Sequence, residues 1–106
     1  MIDAQAVAET IKQYEKHGWT LRRALLSAEG KDLLSGTLGP IDMTDSDLDA
    51  LWFSRCSNPR TEAWELRRLT GLPFALIAVV PADASSEELE STLDQVVMDM
   101  RERRMA

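Results

Sequence analysis

Asp45, Asp47 and Asp49 have the one-three-five spacing that opens a calcium-binding loop. The rest of that pattern fails. Its sixth position is Ala50, where the sharp turn needs glycine, and its twelfth is Cys56, where a bidentate glutamate closes the coordination shell. The triplet therefore reads as a solvated entry to a strand. Cys56 stands beside Arg55 and near Arg60, whose charges would favour a thiolate. A nucleophilic cysteine also needs a base, and nothing in the sequence brings the sole histidine, His17, to it. One cysteine and one histidine fall short of the four ligands of structural zinc. Phosphate-binding glycine loops, serine-nucleophile elbows and two-histidine metal motifs are lacking. The sequence thus nominates no catalytic residue, no metal and no cofactor.

A second chemistry is suggested by Arg22, Arg67 and Arg68 with Trp19, Trp52 and Trp64, since single-stranded nucleic-acid binders set aromatics on basic sheets. The competing explanation places the tryptophans in the core and pairs the arginines with Glu62, Glu65 and Asp49. Net charge favours the latter. At −6 the chain is a poor general nucleic-acid binder, because phosphate neutralisation needs a basic surface. Met98, Met100 and Met105 read as core and helix end, with no cysteine or histidine beside them to suggest a soft-metal site.

These groups must be positioned by a single domain, since 106 residues support one modest core. With 44% hydrophobic and 28% charged residues, the composition is that of an ordinary soluble globular chain. No apolar run approaches the ~20 residues of a spanning helix, and Met1 to Gln5 lack the features of a signal peptide. A lone cysteine allows no internal disulfide, so a cytoplasmic location is the expectation.

Apolar spacing predicts a helix over 3–16, with Asp3 as N-cap and Gly18 just past its end. A strand follows over 19–26, with Trp19, Leu21 and Leu25 on one side. Residues 28–38 read as a short helix capped by Ser27, with a hairpin at Glu29-Gly30 as the alternative. Residues 39–47 read as loop. Three strands then run over 48–55, 62–69 and 74–80, joined at Ser57-Asn58-Pro59 and at Thr70-Gly71-Leu72-Pro73. The last is an unbroken apolar run, as a strand buried on both faces would read. Ser85 and Glu88 form a capping-box pattern that opens a final helix.

The fold expected is α+β, in the order α-β-(short α)-β-β-β-α. A four-stranded, mainly antiparallel sheet carries both the N- and C-terminal helices on one face. In the first hairpin, Arg55 is expected opposite Glu62, Phe53 opposite Trp64, Leu51 opposite Leu66 and Asp49 opposite Arg68. Leu48, Ala50, Trp52 and Leu69 then point to the second face, joined from the last strand by either Phe74, Leu76 and Ala78 or Ala75, Ile77 and Val79. Phe74 and Leu76 are taken as the candidate interface, with Arg67 at its rim. That surplus predicts self-association as a homodimer, with complete wrapping of the face by residues 28–47 as the alternative. The preferred function is a non-catalytic, chaperone- or adaptor-like interaction module with a possible protein partner and no membrane. The alternatives are a small enzyme using carboxylates and arginines in a cleft, and a binder of RNA or single-stranded DNA.

Overall fold

The computed structural model describes residues 3–70 and 74–105, with side chains to position 103. The turn residues Gly71, Leu72 and Pro73, and the Met105 side chain, lie outside the described residues.

Local signals set the helices. In α1 (Ala4–Lys16), the Asp3 carboxylate accepts from the N–H groups of Gln5 at 2.9 Å and Ala6 at 3.4 Å. Its far end closes with the Gly18 N–H on the Glu15 carbonyl and the Trp19 N–H on the Tyr14 carbonyl. This paired closure needs a left-handed residue, and Gly18 has φ +86°. Ser27 caps α2 (Ala28–Leu38) by accepting from the Gly30 N–H at 3.1 Å, so the helix forms and the alternative hairpin does not. Ser85 accepts from the Glu88 N–H at the start of α3 (Ser86–Met105).

The strands are β1 (Thr20–Leu26), β2 (Asp42–Asp45), β3 (Ala50–Asn58), β4 (Thr61–Arg68) and β5 (Ala75–Pro81). They form one mixed sheet in the order β2-β1-β3-β4-β5. β1 runs parallel to β2 and antiparallel to β3, and the other neighbours are antiparallel. The sheet therefore has five strands, not four. β2 lies in the stretch expected to be loop; it is short, mostly exposed and polar, and only the parallel crossover through α2 lays it beside β1.

The terminal helices take opposite faces, contrary to the expected single helical layer. α3 packs Leu93, Val96 and Met100 onto Leu25, Leu48, Ala50, Trp52, Trp64, Leu66 and Val80. On the other side, Val7 of α1 and Leu34 and Leu38 of α2 meet Ala24, Leu26, Leu51 and Phe53. Arg23 ties α3 to β1 through both Glu90 carboxylate oxygens, at 2.6 and 3.0 Å.

The β3–β4 register is one residue away from the expected pairing: Phe53 lies opposite Glu65, Ser54 opposite Trp64 and Arg55 opposite Ala63. Phe53 and Trp64 thus point to opposite faces. A one-residue slip is normally penalised because it turns an apolar set toward water. Here both faces of β3 are roofed by helices, so either assignment buries its aromatics. A register shift between Leu21 and Arg23 similarly sends Leu21 to the α1 side and Leu25 to the α3 side, where one common side was expected.

Candidate interaction surface

α1 and α2 pack on each other and on β1, and α1 reaches β3 and β4 through Tyr14, which leaves the β5 margin of the sheet open on their side. β5 is an edge strand there, although its unbroken apolar sequence suggested a strand buried on both faces. Ile77 is 60% exposed and Val79 61%, both on this side. Beside them on β4 stand the partly buried Glu65 and Arg67 and the buried Ala63.

Backbone direction defines the edge further. The Arg68 N–H donates to the Phe74 carbonyl at 3.1 Å, and the Ala82 N–H to the Arg60 carbonyl at 2.8 Å. In an antiparallel ladder alternate residues bond to the same neighbour. Leu76, Ala78 and Val80 therefore direct their N–H and C=O groups toward β4. Ala75, Ile77 and Val79 direct theirs away from the sheet. Pro81, which has no N–H, occupies the next outward position, where it removes no ladder bond.

The residues expected to form a second-face interface are divided by this architecture. Leu48, Ala50 and Trp52 are buried beneath α3, and Phe74 and Leu76 pack partly buried against the same cluster. Leu69 joins the opposite cluster. Only Arg67 of that set borders the open β5 margin. Ile77 and Val79 belong to the alternative set of the last strand, and the sequence did not favour them because an apolar run does not reveal which strand ends the sheet or which of its sides is covered.

At the end of α1, Gln13, Tyr14, His17, Trp19, Arg55 and Glu65 line a cavity of about 440 Å³. Its polar groups brace one another. The Tyr14 hydroxyl donates to the Glu65 carboxylate, and its ring stacks on Phe53 with centroids 4.0 Å apart. Arg55 donates to the His17 carbonyl at 3.1 Å and lies over the Trp19 ring. Burial first, then the Glu65 carboxylate, pushes the Tyr14 phenol from 10.0 up to about 12, against a smaller opposing effect of Arg67. Tyr14 is the sole tyrosine, so ultraviolet titration reports it alone. Phenolate absorbance should appear near pH 12, and a midpoint at 10 would show that the phenol is not seated against Glu65. Because the folded phenol holds its proton more tightly, the stability from this seat is complete below pH 10 and is lost as pH rises toward about 12.

The other chemical candidates are separated or already engaged. His17 and Cys56 do line one surface hollow together with Arg55, a proximity that sequence reasoning missed. Among the described residues no hydrogen bond links them, and Cys56 is exposed. Asp45 pairs with Lys31, Asp47 lies 3.9 Å from Arg101, and Asp49 accepts from Ser27. The three aspartates thus serve three different structural contacts, and among the described residues no group of metal-ligating side chains gathers. Trp52 and Trp64 lie under α3, where Arg22 and Arg23 cover the Trp64 ring, so they offer no open stacking platform. No described helix is long and apolar enough to cross a membrane.

Fold and surface together define an α+β domain with helices on both faces of a five-stranded sheet and one apolar strand edge open. Comparison with protein-family models, curated proteins and solved structures gave no match.

Proposed function

We propose that this chain is a small non-catalytic interaction module that self-associates through the open β5 margin of its sheet. The observation carrying this reading is the exposure of Ile77 and Val79 on edge strand β5. Isolated apolar residues on a surface need no explanation. These two are neighbours on one face of one strand, beside Ala75 and Ala63. Edge strands are ordinarily protected by charges, bulges or a covering element. Residues 75 to 80 contain no charge, and no strand follows β5 in the sheet order. A second copy supplies matching apolar surface, and two-fold dimers are the commonest closed assemblies.

Sedimentation or light scattering at micromolar concentration tests the reading. The wild type should show twice its 11.9 kDa chain mass. Ile77→Lys with Val79→Lys should return it to a single copy with an unchanged circular dichroism spectrum, because both side chains already face water. A wild type that stays monomeric at high micromolar concentration overturns the proposal.

A further inference from the structure

We infer that two copies join edge to edge, β5 against β5 in antiparallel alignment about a two-fold axis at Ala78, continuing the sheet from one copy into the next. This rests on the self-association reading above and specifies its mode. Stacking the Ile77–Val79 faces would also bury these side chains, but it would leave the outward backbone groups of Ala75, Ile77 and Val79 unused. Edge pairing uses both features. With Ala78 on the axis, Ile77 of each copy faces Val79 of the other, and each such pair exchanges both of its N–H···O bonds.

The sequence of β5 is self-complementary in this register. On the α1 side the facing residues are Ile77 and Val79. On the α3 side Leu76 faces Val80, and Ala78 faces its own counterpart. No charge enters the paired strands. On β4, Glu65 lies beside Ile77, Ala63 beside Val79, Arg67 beside Ala75 and Thr61 beside Pro81. The cross-dimer row through Ile77 therefore has Glu65 at one end and Ala63 of the second copy at the other. The row through Ala75 has Arg67 and Thr61. Setting Ile77 opposite Ile77 would instead put a Glu65 at both ends of one row. Pro81 limits the paired stretch, since it cannot return the bond that the Ala75 N–H donates. The other sheet edge, β2, is four residues long and largely polar, so the assembly closes at two copies.

Two variants test the mode. Directly opposed residues of a non-hydrogen-bonded antiparallel pair have Cα atoms about 4.5 Å apart, within the disulfide range. In a Cys56→Ser background, Ala78→Cys should give a covalent dimer under mild oxidation, reversed by reductant. Val79→Pro removes an outward N–H and leaves the β4 ladder intact. It should raise the dimer dissociation constant about tenfold or more, with the monomer's circular dichroism spectrum preserved. A dimer that neither cross-links at position 78 nor responds to Val79→Pro overturns edge pairing while leaving self-association standing. A dimer weakened by the proline but not cross-linked overturns the register at Ala78. A wild-type chain that is monomeric throughout overturns both proposals.

Discussion

Trp64→Ala is expected to lower the free energy of unfolding by about 3–5 kcal/mol, the range for removing a buried aromatic and leaving a cavity. The Trp64 side chain is at the centre of the α3 side and 1% exposed. Its ring meets Trp52 edge-on with centroids 6.2 Å apart. The Arg22 and Arg23 guanidinium groups lie 5.1 and 5.6 Å from its centroid, and its N–H donates to Glu62 at 2.6 Å. Alanine removes all of these contacts. Arg23 would also lose one of the groups that hold it toward Glu90 of α3. Since a domain is commonly stable by only about 5–15 kcal/mol, the variant should unfold at a much lower urea concentration. Urea titration followed by far-ultraviolet circular dichroism measures the loss, and a change below about 1 kcal/mol would contradict this packing. A double variant adds a test of register. Phe53 points to the α1 side, so Phe53→Ala and Trp64→Ala should be nearly additive. Trp52→Ala and Trp64→Ala should couple, as residues in contact do. Strong coupling between Phe53 and Trp64 would restore the pairing expected from sequence.

Asp49→Ala should cost about 2–4 kcal/mol, because two separate roles end together. Asp49 has φ +51°, a left-handed conformation that aspartate tolerates better than alanine. Its side chain accepts from the Ser27 N–H at 2.8 Å and the Ser27 hydroxyl at 2.9 Å, while that hydroxyl caps α2. Its own carbonyl accepts from the Leu69 N–H at 2.8 Å. One residue thus fixes the end of β1, the start of α2 and the end of β4, although only 9% of it is exposed. Substitutions separate the contributions. Asn keeps an acceptor and tolerates the backbone, so it should be the mildest. Gly relieves the backbone but abandons Ser27, and Ala does neither. The predicted order of unfolding midpoints is wild type, Asn, Gly, Ala. Equal midpoints for Gly and Ala would show that the left-handed backbone contributes nothing measurable.

The extents of α1, α2 and α3 were legible in the sequence, because Asp3, Ser27 and Ser85 act within one turn and Gly18 acts at its own backbone angle. The four longer strands were also placed within one or two residues at most of their ends, since apolar stretches bounded by turn residues are local patterns. What the chain alone could not settle were the relations among elements. Residues 42 to 45 are too polar and too short to read as a strand, and only the crossover through α2 sets them against β1. Apolar sets on both sides of β3 made its register ambiguous, because helices roof both faces and neither assignment meets water. The register shift at Arg22 and the left-handed Asp49 follow from where the neighbouring strands lie. The candidate surface was hidden for the same reason. Ala75 to Val80 has the composition of a doubly buried strand, but burial depends on which strands and helices lie beside it. Tertiary structure put β5 at the edge, covered its Leu76 and Val80 side with α3, and left Ile77 and Val79 open.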